Sequence, residues 1–126
     1  MANPSDTGPS GVGTEVLRRS YKADLDNTEY KIIDGVANHI YTVLSITVCD
    51  QGVGTDTLWL KVYQGASTAA ADTIFILRAQ PMGNQDTFVF DNKIIITDTD
   101  EFVIYTSSST DSMDVLCTYI NYKFTT

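Results

Sequence analysis

The residues that carry most enzyme and metal chemistry are scarce in this sequence. Its 126 residues include one histidine, His39, and two cysteines, Cys49 and Cys117. A Ser–His–Asp or Cys–His arrangement could use only this histidine, and no Gly-x-Ser-x-Gly motif surrounds a nucleophile. Zinc sites need cysteine and histidine residues clustered together, which this chain does not offer. We therefore predict a protein that is not an enzyme and that binds no metal and no cofactor.

Positive charge is also scarce. The chain has 8 Lys and Arg residues against 16 Asp and Glu residues, which gives a formal net charge of −8. Affinity for nucleic acid depends on neutralising phosphates with basic side chains, and the only adjacent basic pair is Arg18-Arg19. We expect no nucleic-acid partner and no anionic membrane partner. Acidity of this kind keeps a crowded assembly soluble.

Long apolar runs and export signals are missing as well. No run approaches the ~20 apolar residues that cross a bilayer. The N-terminus, residues 1–5, lacks the basic and apolar parts of a signal peptide. We therefore expect no membrane association and synthesis in a reducing cytoplasm.

Strand signals recur from Glu15 onward, and no stretch has a convincing helical period. The strand-like segments are rich in Val, Ile, Thr, Tyr and Phe, and turn sequences such as Asp34-Gly35 and Pro81-Met82-Gly83-Asn84 separate them. Short strands at close spacing are typical of sandwiches and barrels. We predict an all-β fold, a single antiparallel β-sandwich or jelly-roll-like barrel. Its predicted strands are 15–23, 28–34, 38–49, 56–64, 72–79, 86–90, 92–97, 101–107 and 113–124.

The first residues have a different composition from the rest. Residues 1–14 are mostly Gly, Pro, Ser, Thr and Asn, so they cannot contribute a core face. We predict an extended N-terminal arm over residues 1–14, followed by a β-sandwich domain over residues 15–126. The small side chains of residues 66–71 predict either a hairpin tip or a close subunit contact.

Several predicted strands are apolar or aromatic on both faces. A solvated antiparallel sheet normally alternates apolar and polar side chains. Either loops cover the outer face of a crowded small sandwich, or a second subunit does, and the sequence leaves both explanations open. Period-2 alternation gives a common face to Ile40, Thr42, Leu44, Ile46 and Val48; to Leu58, Leu60 and Val62, opposite Trp59 and Tyr63; and to Val115, Cys117 and Tyr119, opposite Leu116 and Ile120.

The few reactive side chains have ordinary structural explanations. Cys49 and Cys117 lie within predicted strands, so we expect both to be small buried side chains. A disulfide between them would need Cα atoms within about 7 Å of each other, which the sequence does not decide. His39 is expected to bond a neighbour or water at the start of its strand.

Two acidic runs are the best candidates for calcium ligands, because hard oxygen donors bind this ion. Asp98, Asp100 and Glu101 form one run, and Asp111 and Asp114 form the other. The spacing of an EF-hand loop is absent, and aspartate is common at turns because it bonds its own backbone. We therefore interpret both runs as turn residues.

Exposed aromatic side chains on a β-sandwich can stack on sugars. Trp59, Tyr63 and Tyr105 are the candidates for this role. A single tryptophan is sparse for a carbohydrate-binding module, and an interface aromatic or a core anchor explains it at least as well. Both interpretations stay open at this point.

Several segments together carry a family resemblance: a Gly-rich lead at 11–14, the I-I-D-G-V-A-N-H-I-Y-T-V-L-S-I phrase at 32–46, an aromatic strand followed by Lys-Ile-Ile-Ile within 87–96, an acidic turn followed by Phe-Val-Ile-Tyr within 98–107, and a closing Met-Asp-Val-Leu-Cys-Thr-Tyr-Ile at 113–120. In this order they resemble small virion structural proteins of tailed bacteriophages, those of cyanophages in particular. The resemblance covers most of residues 11–121.

The resemblance implies a non-enzymatic virion protein that is made in the host cytoplasm and assembles in symmetric copies. It favours a capsid decoration or cement protein that stabilises the phage head by contacting the major capsid protein, as a homo-oligomer with a trimer favoured. A tail, neck or baseplate component is the first alternative, and a carbohydrate-binding β-sandwich module is the second. We expect the chain to be complete, without a trailing fibre domain, which favours decoration. The candidate interface residues are Pro4, Pro9, Val12, Val16, Trp59, Tyr63, Tyr105, Tyr122 and Phe124.

Overall fold

The computed structural model describes residues 14–52, 56–110 and 112–124, which form two antiparallel sheets packed face to face. The predicted all-β sandwich is confirmed. In these residues the only helices are two 3-10 turns of three residues each, and neither is long enough to cross a membrane. The predicted arm lies outside the described residues, except for Thr14, which begins the first strand.

The described residues contain nine strands, and each overlaps one predicted strand with bounds that differ by three residues or fewer. Alternating β-branched and aromatic residues therefore locate the strands well. The strands are β1 (Thr14–Leu25), β2 (Tyr30–Asp34), β3 (His39–Asp50), β4 (Asp56–Tyr63), β5 (Thr73–Met82), β6 (Thr87–Phe90), β7 (Ile94–Thr97), β8 (Glu101–Thr106) and β9 (Met113–Lys123).

The strand order is that of a jelly roll. The larger sheet has the order β1-β9-β3-β6, and β7 also pairs with β3. β7 pairs with the first part of β3 and β6 with its last part, so these two short strands share one position in the sheet. The smaller sheet has the order β2-β8-β4-β5. Early strands thus alternate between the two sheets, which closes a sandwich around one core.

The core lies between the sheets and is built from alternate residues of their strands. Burial of large aliphatic and aromatic side chains here removes apolar surface from water, which is the main favourable contribution to folding. The most deeply buried of these side chains are Leu25, Val43, Ile46, Val48, Leu58, Leu60, Ile96, Phe102, Ile104, Met113 and Cys117.

A β-bulge in β3 changes which residues face this core. The pairing of β3 with β9 is regular on both sides of Leu44, which has no partner residue of its own. Tyr41 and Val43 are buried before the bulge, and Ile46 and Val48 are buried after it. The extra residue therefore shifts the phase of side-chain alternation by one position.

The expectation that five residues of β3 share one face is therefore wrong for Ile40, Thr42 and Leu44. Because of the bulge, their phase differs from that of Ile46 and Val48. Ile40 and Thr42 pair with outward-facing positions of β9, and none of the three is fully buried.

The expectation that both cysteines are buried is wrong for Cys49. This residue follows Val48, whose side chain faces the core, so alternation turns Cys49 outward and leaves it exposed. Cys117 is fully buried on the inner side of β9. Both thiols are free and lie on opposite sides of the larger sheet.

The strand β5 continues through Pro81 and Met82, where the sequence predicted a turn. A proline is tolerated here because β5 is the edge of the smaller sheet and has no second strand to which it must donate. Pairing with β4 is irregular at two points, and Ala79 has a φ of 55°. The predicted hairpin tip at residues 66–71 lies between β4 and β5.

Gly35 lies where the chain crosses from the smaller sheet to the larger one. Its N–H donates to the carbonyl of Asp100, with an N–O distance of 2.9 Å. A Cβ at this position would collide with the backbone carbonyl oxygens of Asp98 and Asp100. The crossing therefore requires glycine, because backbone atoms cannot move aside as a flexible side chain does.

We expect Gly35→Ala to lower the free energy of unfolding by about 2 kcal/mol or more, because the added methyl displaces two backbone segments. Urea unfolding monitored by tryptophan fluorescence measures this. Gly65→Asn is the control, since Gly65 has a φ of 60° with nothing within 4 Å of its Cβ position, a conformation that asparagine tolerates at a cost of about 1 kcal/mol or less. Equal losses in both variants would contradict the close approach at Gly35.

We also expect one thiol per native chain to react rapidly with a maleimide. Cys49 is exposed, whereas burial raises the pKa of the Cys117 thiol to about 12 and so suppresses its thiolate. Cys49→Ser should abolish the rapid reaction, and denaturation should release the second thiol. Two rapid thiols in the native protein, or none, would be inconsistent with this placement.

Candidate assembly surface

The outer face of the larger sheet, meaning the side turned away from the core, carries most of the exposed apolar side chains. Of the eight large hydrophobic side chains that are exposed among the described residues, five lie on this face. Their exposed fractions show that solvent reaches them rather than a covering loop. They are Leu17 (57%), Tyr21 (67%), Val89 (55%), Ile95 (55%) and Leu116 (42%).

These side chains form two rows that run across the sheet from strand to strand. Tyr21, Leu116, Thr47 and Val89 are successive ladder partners through β1, β9, β3 and β6. Directly opposed residues of an antiparallel ladder point to the same side, so each row is continuous. The second row passes through β1, β9, β3 and β7 and consists of Leu17, Ile120, Thr42 and Ile95.

A shallow depression of about 400 Å³ lies at one end of this face. Tyr21, Cys49 and Leu116 are among the residues that line it. At its polar rim, the Gln51 amide donates to both Asp24 and Asp114 over 2.8 Å. The depression thus has a largely apolar floor beside a fixed polar cluster.

The outer face of the smaller sheet is aromatic, but its side chains cover one another. Trp59 and Tyr105 are ladder partners whose rings stack at 5.7 Å with planes 8° apart, and Phe75 meets the Trp59 ring edge-on. The ammonium of Lys61 lies 4.9 Å from the centre of the Tyr105 ring, a cation–π contact. Val103 beneath this cluster is only 1% exposed. This face therefore matches the explanation by crowding within one chain.

An ion pair holds the buried end of that cluster. The Lys61 ammonium lies 2.5 Å from the Glu29 carboxylate, and the Tyr63 hydroxyl donates to the same oxygen over 2.7 Å. Burial by itself would raise the pKa of Glu29, but the hydrogen bonds from Lys61 and Tyr63 together outweigh it and lower that pKa. Burial likewise opposes the charge of Lys61, yet its contacts with Glu29 and Tyr63 raise the pKa of the ammonium. Both groups are therefore charged at neutral pH.

The candidate interface residues from the sequence lie in different places. Pro4, Pro9 and Val12 fall outside the described residues. Val16 is half-buried on β1, and its role in an interface stays a prediction.

The aromatic candidates form two clusters. Trp59, Tyr63 and Tyr105 belong to the cluster around Lys61 on the smaller sheet. Tyr122 and Phe124 stack at 6.5 Å near the end of β9, on the larger sheet. The structure therefore does not bring the two groups into one surface.

The histidine has a structural environment. Nδ1 of His39 lies 2.8 Å from the side-chain oxygen of Asn121, and its ring stacks on Tyr41 at 5.7 Å. The side chains that contact it are thus an amide and an aromatic ring. This matches the expectation that His39 bonds a neighbour at the start of its strand.

The acidic runs serve local turns. Asp98 accepts a hydrogen bond from the N–H of Asn38, and Asp100 accepts one from the N–H of Gly65. Glu101 pairs with Lys31 at 2.9 Å. Across the part of the chain that the structure describes, no group of three or more His, Cys, Asp and Glu residues could hold a metal. Asp111 lies outside that part.

Most of the outer face of the larger sheet was not predictable from the sequence. Its members come from four strands, and only strand pairing brings Leu17 and Tyr21 beside Leu116, Val89 and Ile95. The local signal was the spacing of Leu17 and Tyr21 on alternate positions of one strand. Two such residues per strand are common in any β protein, so the pattern alone did not distinguish them.

We expect Glu29→Gln to lower the free energy of unfolding by about 1–3 kcal/mol at neutral pH, because it leaves the Lys61 ammonium without a charged partner. Since the pKa of Glu29 is lowered on folding, its stabilising effect is present above the unfolded pKa and is lost as the pH falls through the lower folded pKa. The variant should therefore flatten the acid side of the stability profile.

The matched control is Glu101→Gln, which removes the pair with Lys31. The Glu101 side chain is 13% exposed, but the Lys31 side chain that loses its partner is 49% exposed, so water can solvate its charge and we expect a loss of at most about 1 kcal/mol. Urea unfolding of both variants across a pH series makes the comparison. A smaller loss for Glu29→Gln than for Glu101→Gln would contradict the role assigned to the Lys61 pair.

Comparison with known proteins supports the fold and does not assign a family. No family model matches the sequence, and no curated protein matches it either. A solved structure from work on Bacillus endospore appendages, described as disulfide-linked pili, has a similar fold at 17% identity and a TM-score of 0.53. The match covers 94% of this chain and 96% of that one.

Two capsid structures are similar at a lower level. One is from the Helicobacter pylori bacteriophage KHP30, with 12% identity, a TM-score of 0.48 and 90% of each chain covered. The other is the infectious bursal disease virus VP2 subviral particle, also at 12% identity and 0.48, covering 93% of this chain and 40% of that one. At these identities, structural similarity bears on the fold alone, and our description of this chain as a sandwich rests on the appendage protein and on the strand order.

Proposed function

We propose that this protein is a non-enzymatic structural subunit of a phage particle, and specifically a capsid decoration protein that binds the major capsid protein and stabilises the head. The observation that carries the proposal is the apolar outer face of the larger sheet. Leu17, Tyr21 and Leu116 on that face are exposed. Because they lie outside the core, core packing does not require them to be apolar.

The size of this face suits a protein–protein contact. The face is four strands wide, at ~4.8 Å per strand, and about eleven residues long, at ~3.3 Å per residue. Its area is therefore on the order of 700 Å². A standard interface buries about 800 Å² on each partner. Two apolar rows on a face of this size, with Glu15, Arg19 and threonines beside and within them, favour a contact with another protein.

The family resemblance supports a phage particle as the assembly. The segments at residues 32–46, 87–107 and 113–120 resemble phage virion proteins, and one exposed face suits a decoration protein, with a tail, neck or baseplate component as the alternative. Residues 1–14 provide a second contact element in this proposal, because an extended arm can bind along a neighbouring subunit.

A pilus or fibre subunit is the second candidate function. It is favoured by the similarity to the endospore appendage structure, which spans nearly the whole of both chains. Under this alternative the same outer face would bind other copies of the chain in a filament. Electron microscopy of the concentrated purified protein distinguishes the two, because a fibre subunit forms filaments without any capsid.

Sugar binding receives less support from the aromatic cluster. Trp59 and Tyr105 each use one ring face on the other, and the Lys61 ammonium occupies the space between Tyr105 and Tyr63. A stacking platform needs a free ring face at which a sugar can lie flat. The packing within the cluster therefore favours a structural role for these residues.

We expect this chain to be present in purified particles at a ratio near one copy per major capsid subunit, measured by quantitative mass spectrometry. A few copies per particle would move the protein to the neck, tail or baseplate. Absence from particles would overturn the proposal.

The variant Tyr21→Ser/Leu116→Ser should reduce binding to capsids by about tenfold or more, because it removes the centre of an apolar row. Sedimentation of labelled protein with undecorated heads measures the binding. Val36→Ser is the matched control, since Val36 is 54% exposed but lies in the loop between β2 and β3, and it should bind as the unchanged protein does. Equal binding by all three proteins would exclude this face as the contact.

A further inference from the structure

The edges of the two sheets differ in how they are protected from pairing with another strand. β2 is five residues long with a register shift, and β6 and β7 are four residues each. β5 is interrupted by two register shifts and by Pro81. Short, bulged or proline-containing edges resist further pairing.

The edge strand β1 has none of these protections over most of its length. It pairs with β9 in an unbroken register from Thr14 to Lys22, without glycine or proline. Its other side has no partner among the described strands. The carbonyl of Tyr21 accepts a hydrogen bond from the Tyr30 hydroxyl over 3.1 Å, which caps the free side at the point where the regular register is about to end.

That hydrogen bond also indicates which backbone groups are free. The two backbone groups of a residue point to the same side of an antiparallel strand, and the side alternates along the chain. Since the Tyr21 carbonyl faces away from β9, the N–H and C=O groups of Glu15, Leu17 and Arg19 do so too. The edge therefore presents three residues whose backbone hydrogen bonds are available to an added strand.

The charges on β1 restrict which strand can be added. Glu15 and Arg19 both point to the outer face, on either side of Leu17, and both are exposed. Neither takes part in an ion pair within the described residues. A second β1 strand in antiparallel orientation, centred on Leu17, would place Glu15 opposite Arg19 twice. Opposite charges in directly opposed positions stabilise a ladder.

The two-fold registers centred on Arg18 or on later residues are unfavourable, and one centred on Val16 leaves Glu15 and Arg19 without opposite charges. Directly opposed residues must share a face, so a two-fold axis perpendicular to the sheet has to pass through one residue. Centring the contact on Arg18 or Arg19 opposes two like charges, and centring it on Ser20 opposes Arg18 to Lys22. Centring it further along requires a regular strand at Asp24, where φ is 58° and the register shifts.

We infer that β1 is a homodimer edge: two copies of this chain pair antiparallel through β1 about a two-fold axis at Leu17, which joins their larger sheets into one. The contact opposes residues 14–20 of one copy to residues 20–14 of the other. It goes beyond the proposed function, because it concerns contacts between copies of the chain and holds in the absence of a capsid. A cyclic trimer would instead need head-to-tail contacts.

Charge exchange tests this register. Light scattering and analytical ultracentrifugation of the purified full chain over a concentration series should show a monomer–dimer equilibrium. Glu15→Arg should raise the dimer dissociation constant about tenfold or more, as should Arg19→Glu, because each turns two attractions into two repulsions. The double variant Glu15→Arg/Arg19→Glu should restore dimerisation, which a merely structural effect of either change would not do.

Cross-linking tests the position of the axis. In a Cys49→Ser background, Leu17→Cys should give a dimer with a short bismaleimide, because the two positions face each other at about 5.5 Å between Cα atoms. Val36→Cys is the control and should give no dimer, because Val36 is 54% exposed but lies in the loop between β2 and β3, away from β1 in the larger sheet. A monomer or a trimer at all concentrations, no rescue by the double charge exchange, or equal cross-linking at both positions would overturn the inference. Capsid binding measured separately would leave the proposed function unaffected by these results.

Discussion

Each strand of a sandwich can bury only every second side chain, and the rest of this structure depends on the phase in which that happens. In the larger sheet, burial of Val115 and Cys117 turns Leu116 outward, and burial of Ile46 and Val48 turns Cys49 outward. The core thus decides which positions face solvent, but it does not decide what occupies them. Polar residues at the outward positions would leave the core intact. The apolar character of that face therefore needs a cause outside the core, which in our proposal is contact with another protein.

Much of the fold follows from local patterns, whereas the phase and pairing of strands do not. The alternation of β-branched and aromatic residues was enough to locate nine strands and to predict a sandwich. The bulge at Leu44 escaped prediction because it arises from how β3 meets β9, which lies far away in the sequence. Pro81 suggested a turn, since its acceptance in a strand depends on β5 being an edge. The outer face was missed for the same reason: four strands contribute to it, and their order is a non-local property.

The sequence left open whether the same chain or a second subunit covers the outer faces of the sheets, and the two sheets differ in this respect. On the smaller sheet, Lys61 extends over Val103 and is held by Glu29 and aromatic rings, so a single chain covers its own apolar surface. The cation there costs desolvation, which its carboxylate partner and the ring contacts offset. Among the described residues, no lysine or arginine makes such a ring contact with Tyr21 on the larger sheet. Crowding therefore explains most of one face, where Phe75 is still 41% exposed, whereas the described part of the chain leaves the apolar rows of the other face open to solvent.

If β1 pairs with β1 of a second copy, the edge of the larger sheet and its outer face contribute to the same assembly. A two-fold axis perpendicular to the sheet keeps both outer faces on the same side, so the dimer presents an apolar surface about twice as wide. The net charge of −8 on each chain opposes association. The Glu15–Arg19 pairs lower that repulsion only where the register is correct, so charge sets the alignment of the strands. Under the proposed function, the two linked faces of such a dimer would bind one capsid surface more tightly than either does alone.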